Sequence, residues 1–94
     1  MCGVLALIYP NGVSPSSKQL ERIVDRMAHR GPDGTGVKID GEVGFAHRRL
    51  AIIDIVGAVQ PMALSNGIKI TFNGEIYNFR ELRNTLIEHG HIFK

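Results

Sequence analysis

Five Asn-Gly or Asp-Gly pairs punctuate the chain, at Asn11-Gly12, Asp33-Gly34, Asp40-Gly41, Asn66-Gly67 and Asn73-Gly74. Each can supply the positive φ of a tight reversal, so whatever lies between two pairs must be short. The intervening runs are apolar or alternating: Gly3 to Tyr9, Gly36 to Ile39, Val43 to His47, Leu50 to Asp54 and Ile68 to Phe72. In the last, Ile68, Ile70 and Phe72 alternate with Lys69 and Thr71, the period of a half-buried strand. These runs read as strands, largely antiparallel.

Two segments change period. From Ser16 to His29, Leu20, Ile23, Val24 and Met27 fall at i, i+3, i+4 and i+7, one helical stripe. Its start is either Ser14 with Pro15 in the first helical position or Ser16 with Gln19 as a capping box, and it stops before Gly31-Pro32. The second helix spans about Phe79 to His89, with Asn78 as N-cap, Glu81 three residues on, and a stripe of Phe79, Leu82, Leu86 and Ile87. Gly90 is its left-handed stop. The chain then turns extended at His91-Ile92-Phe93 and ends at Lys94. A strand stopped there has no downstream partner, so truncation inside a domain is expected, as is poor folding of the isolated piece.

Composition excludes several classes. The 94 residues allow at most one small domain. Hydrophobic residues at 44 %, charged residues at 21 % and a mean hydropathy of +0.01 describe an ordinary globular chain without a membrane span. Eleven Lys and Arg are scattered and the net charge is +2, so no nucleic-acid footprint is present. A single cysteine can form neither an internal disulfide nor a structural zinc site, and His29, His47, His89 and His91 lack paired ligand spacing. No metal is expected. The apolar run from Val4 to Tyr9 has no basic segment before it and is not a leader peptide, so a reducing, cytoplasmic setting fits best.

Four groups of residues could carry chemistry. Removal of Met1, which a small second residue permits, would leave Cys2 with a thiol and a free α-amine on one residue. An α-amino pKa near 8 lets that amine act as base for its own side chain. The plain alternative is a packing cysteine at the start of a buried strand. His29-Arg30-Gly31-Pro32-Asp33 follows the first helix and reads as a turn, with Arg30 either buttressing the loop, binding an anion or simply solvated. His47-Arg48-Arg49 lies between two apolar runs, which directs at least one of these cations into a cleft, where a guanidinium suits a carboxylate; the alternative is two surface arginines at a bend. Asn73-Gly74-Glu75 is either a type I′ turn or a pair of donors, the Asn amide and the Gly N–H, that converge on one oxygen, with Glu75 placed for an ammonium.

Together these pieces resemble the class II glutamine amidotransferases, and within them the glutaminase domains of the glutamine-hydrolysing asparagine synthases. The resemblance lies in Met1-Cys2-Gly3, His29-Arg30-Gly31-Pro32-Asp33, the run from His47 through Leu50 and Ile53 to Asp54, Gln60-Pro61-Met62, and Asn73-Gly74-Glu75-Ile76-Tyr77-Asn78, in the family's order along the whole chain. It departs at Ala58, where the family usually has a second glycine, and at Lys94, just before the stretch where the family places an aspartate that also holds the substrate amine.

The resemblance implies an α+β fold: an N-terminal-nucleophile hydrolase, a four-layer αββα sandwich with antiparallel sheets, here truncated. Residues 1–94 would be the N-terminal portion of a glutamine amidotransferase type 2 domain, with the rest of that domain and a synthetase domain absent. It also implies roles. Cys2 would form a glutamyl thioester with L-glutamine, Asn73 and Gly74 would form the oxyanion hole, Arg49 would hold the α-carboxylate and Glu75 the α-amine. The backbone of Leu50, Ile52 and Ile53 would line the pocket. Ammonia would pass to the synthetase domain of the same full-length chain, which would amidate aspartate with ATP and Mg²⁺; no cofactor is implied for this segment. Neither nucleic acid nor membrane is implied as a partner, and a homodimer of the full-length chain is allowed. Two other readings remain open, the same glutaminase chemistry serving another acceptor and a non-catalytic short module.

Overall fold

The computed structural model describes residues 1–52 and 57–93. In chain order they form β1 (Gly3–Ile8), α1 (Ser17–Asp25), β2 (Gly34–Asp40), β3 (Val43–Arg49), β4 (Met62–Ala63), β5 (Lys69–Ile70) and α2 (Phe79–Glu88). Two antiparallel sheets result: three strands in the order β1-β3-β2, and a two-stranded ribbon of β4 and β5. The expected α+β class with antiparallel sheets is the class observed. Among the described residues no helix is long and apolar enough to cross a membrane.

Strand alternation gives the three-stranded sheet two unlike faces. Pairing sets Leu5 opposite Ala46 and Val37, and Leu7 opposite Gly44 and Ile39. These residues lie under α1, whose Leu20 and Val24 are fully buried and form the core with Ala46. Small residues on the central strand let the helix sink between larger ones on its flanks. A Cβ on Gly44 would stand 2.6 Å from a Leu20 methyl, so a larger residue there would displace the buried Leu20 side chain.

Helix α1 starts where Ser16 accepts a hydrogen bond from the Gln19 amide at 3.1 Å, which decides between the two starts the sequence left open. The box is not reciprocal, because the Gln19 side chain donates instead to the Tyr9 hydroxyl at 2.6 Å. The helix ends at Asp25 rather than His29. Its last turns tighten into i→i+3 bonds, including Met27 to Val24 at 2.9 Å and Arg30 to Met27 at 2.9 Å.

The opposite face of the sheet carries Val4, His47 and Gly36 in one row and Ile8, Val43 and Asp40 in another. Here the β4–β5 ribbon is tethered by its flanks. Lys69 pairs with Asp40 at 2.8 Å, Thr71 meets His47 at 2.8 Å, and the Gln60 carbonyl lies so close over Gly36 that a Cβ there would collide with it. Helix α2 has the predicted extent, and Gly90 (φ 88°) stops it in a Schellman arrangement, with His91 N–H donating to Leu86 at 3.0 Å. Its stripe of Phe79, Leu82, Leu86 and Ile87 is exposed.

Several boundaries differ from expectation. β3 runs on through Arg48 and Arg49, so the supposed bend there is a straight strand with both faces in use. The run from Ile68 to Phe72 keeps strand pairing only at Lys69–Ile70. Leu50, Ala51 and Ile52 take no strand conformation, and Ile53 and Asp54 lie outside the described residues. His91-Ile92-Phe93 is not a strand. Asn78 stands in the cap position of α2, yet its side chain makes no capping bond, since its backbone (φ −93°, ψ 28°) departs from the extended conformation a capping side chain uses.

Candidate active site

Cys2 precedes β1 and continues its alternation, on the face that carries Val4 and His47, away from α1. It is half-buried, and its sulfur accepts the Leu50 N–H at 3.3 Å while facing the Leu50 carbonyl at 3.8 Å. The thiol is thus held against the backbone just past the end of β3. Met1 is 74 % exposed.

The segment from His29 to Asp33 secures that strand end. Asp33 N–H donates to the Arg49 carbonyl at 2.9 Å, and its carboxylate accepts the Ala51 N–H at 2.8 Å. Buried Gly31 passes so close to the Arg48 carbonyl that a side chain would collide with it. Sequence reasoning treated the segment mainly as a turn; its bonds on both sides of Leu50 make it the support of the thiol's neighbour.

The three basic residues of β3 divide between the faces. Arg48 points to the α1 side, where it donates to the Gly31 carbonyl at 2.9 Å and Thr35 at 2.6 Å and pairs with Asp25 at 3.2 Å. It is the buttress; Arg30, offered for that part, is exposed. Arg49, half-buried, shares the face of Cys2 and His47.

His47 is 1 % exposed, with Nδ1 2.8 Å from the Thr71 hydroxyl and Nε2 without a partner among the described residues. Burial, aided by the Arg49 charge, pushes its pKa below the ordinary 6.5. The folded protein therefore keeps the ring neutral where the unfolded chain has begun to take a proton. This contribution to stability is complete above pH 6.5 and is lost as pH falls from there toward the depressed folded value. Thermal midpoints measured from pH 7.5 down to 5 should fall through this window, and less steeply in His47→Gln.

Asn73, Gly74 and Glu75 are exposed, and among the described residues no hydrogen bond joins them to Cys2. Gly74 does not adopt positive φ, so the type I′ turn is not formed. Instead Gly74 folds over the ring of Phe72, where a Cβ would stand 2.5 Å from Cζ. The tie to the Cys2 face comes two residues earlier, at Thr71. Of the expected pocket residues, Leu50 adjoins Cys2, Ile52 is exposed, and Ile53 lies outside the described residues.

Cys2 and Arg49 thus share one sheet face, and Asn73-Gly74 follows directly on the Thr71 and Phe72 contacts to His47 and Gln60. The whole chain, residues 1–94, matches the glutamine amidotransferase domain family, and it belongs to that family. Among its curated relatives, asparagine synthetase [glutamine-hydrolyzing] 2 of Bacillus subtilis (strain 168) is 42 % identical over 100 residues, covering 100 % of this chain and 13 % of that protein. The asparagine synthetase of Triphysaria versicolor and the nodule asparagine synthetase of Pisum sativum are each 40 % identical over 91 residues, covering 95 % of this chain and 16 % of their own. The chain thus spans about one seventh of the length of such relatives.

Proposed function

We propose that this chain is the glutaminase portion of a glutamine-hydrolysing amidotransferase that releases ammonia from L-glutamine for the ATP-dependent amidation of aspartate. The observation that carries the reading is the Cys2 thiol held at the Leu50 amide, on the sheet face that also carries Arg49. With Met1 removed, the α-amine takes the thiol proton and the thiolate attacks the side-chain carboxamide carbon. The Asn73 amide and Gly74 N–H stabilise the oxyanion. Collapse breaks the C–N bond, the ammonium returns its proton to the leaving nitrogen, and a thioester remains. Water, deprotonated by the same amine, hydrolyses the thioester to glutamate.

Arg49 holds the α-carboxylate and Glu75 the α-ammonium of glutamine, with Leu50, Ile52 and Ile53 along the pocket. The synthetase domain of the full-length protein then uses ATP and Mg²⁺, to which none of these 94 residues is assigned. The names of the relatives favour aspartate as acceptor.

Incubation of the full-length protein with glutamine should release ammonia and glutamate in equal amounts, and hydroxylamine should divert the thioester to a γ-glutamyl hydroxamate. Absence of both products would overturn the reading. Aspartate should stimulate ATP cleavage; if it does not, the same glutaminase chemistry serves another acceptor.

A further inference from the structure

We infer that His47 and Gln60 are positioning residues, a two-point clamp that fixes the Asn73-Gly74 segment against the sheet bearing Cys2 and Arg49. The inference rests on the proposed glutaminase reaction, because it concerns the donors which that reaction uses.

The two bonds are adjacent in the chain and arise from different elements. His47 on β3 meets the Thr71 hydroxyl at 2.8 Å, and the Gln60 side-chain oxygen accepts the Phe72 N–H at 2.7 Å. Asn73 is the next residue. Gln60 is in turn placed by Gly36, beside His47 in register, whose missing side chain admits the Gln60 carbonyl. Phe72 carries the placement onward, since Gly74 packs on its ring. A continuous path therefore leads from the central strand through Thr71 and Phe72 to both proposed oxyanion donors.

His47 is poorly accounted for by packing alone. A histidine buried with one nitrogen unpartnered among the described residues is less favourable than an apolar residue of similar shape. Its location also separates it from the core, for it faces the ribbon while Leu20, Val24 and Ala46 fill the α1 side. What its burial provides is one fixed bond to the segment that precedes Asn73.

The test is made in the full-length protein, with Thr71→Val to remove the hydroxyl, Thr71→Ser to retain it, and Gln60→Leu to remove the second anchor. Both disabling variants should lower kcat for glutamine hydrolysis by about tenfold, because displaced donors stabilise the transition state less. KM should stay within about twofold, and Thr71→Ser should restore the rate. Amide exchange at Phe72 to Glu75 should quicken in Thr71→Val and Gln60→Leu, with circular dichroism unchanged. Wild-type kcat in both disabling variants, an equal loss in Thr71→Ser, or a rise in KM alone would overturn the clamp. Cys2→Ala distinguishes the two levels: hydrolysis that survives it overturns the reaction and the clamp's part in it. Hydrolysis lost there but intact in Thr71→Val and Gln60→Leu overturns the clamp alone.

Discussion

Replacing Cys2 with alanine should reduce glutamine hydrolysis by a factor on the order of 10⁴ to 10⁶, the range expected when a covalent nucleophile is lost. The fold should survive. The thiol is half-buried and its bond to Leu50 is one contact beside the paired residues from Gly3 to Ile8, so the stability change should stay at about 1 kcal/mol. In the full-length protein, ammonia supplied directly should still support synthesis, because it enters after the cysteine has acted. Steady-state assays with glutamine and with ammonia, run on the same preparation, measure both. Loss of both activities in a folded Cys2→Ala protein would count against a nucleophilic role.

Asn73→Ala should be the second most damaging change, lowering kcat by about 10²- to 10³-fold, as removal of one oxyanion donor does. Its mark is the division between constants: kcat falls while KM for glutamine moves little, since the oxyanion exists only beyond the ground state. Asn73 is exposed, so unfolding midpoints should shift by less than about 0.5 kcal/mol equivalent. Initial rates of ammonia release over a glutamine series provide the measurement. A raised KM with kcat intact would reassign Asn73 to substrate binding.

Local signals were the legible ones. The stripe through Leu20 and Val24, the Ser16 cap, the extent of α2 and its stop at Gly90 depend on near neighbours, and the sequence displays them. What escaped was set by distant partners. The polar run His47-Arg48-Arg49 interrupts an apolar pattern and so resembles a bend, yet His47 and Arg48 find distant partners on opposite faces of β3. Ile68 to Phe72 alternates as a strand should, but Thr71 and Phe72 are diverted to His47 and Gln60. Cys2, the His47-Arg48-Arg49 run and the Asn-Gly pair stood out as chemistry. The partners of Asp33, Arg48 and Gln60 did not, because a hydrogen bond across 12 to 18 positions leaves no local spacing to read.

First residues of a chain ordinarily fray. Here Gly3 is already paired with Arg48, and the thiol before it is fastened to Leu50. If the amine of Cys2 is the working base, a purification tag, a leftover cleavage residue or an acetyl group on that nitrogen would silence it. On that reading, the fraction of molecules with Met1 removed sets the highest specific activity a preparation can reach.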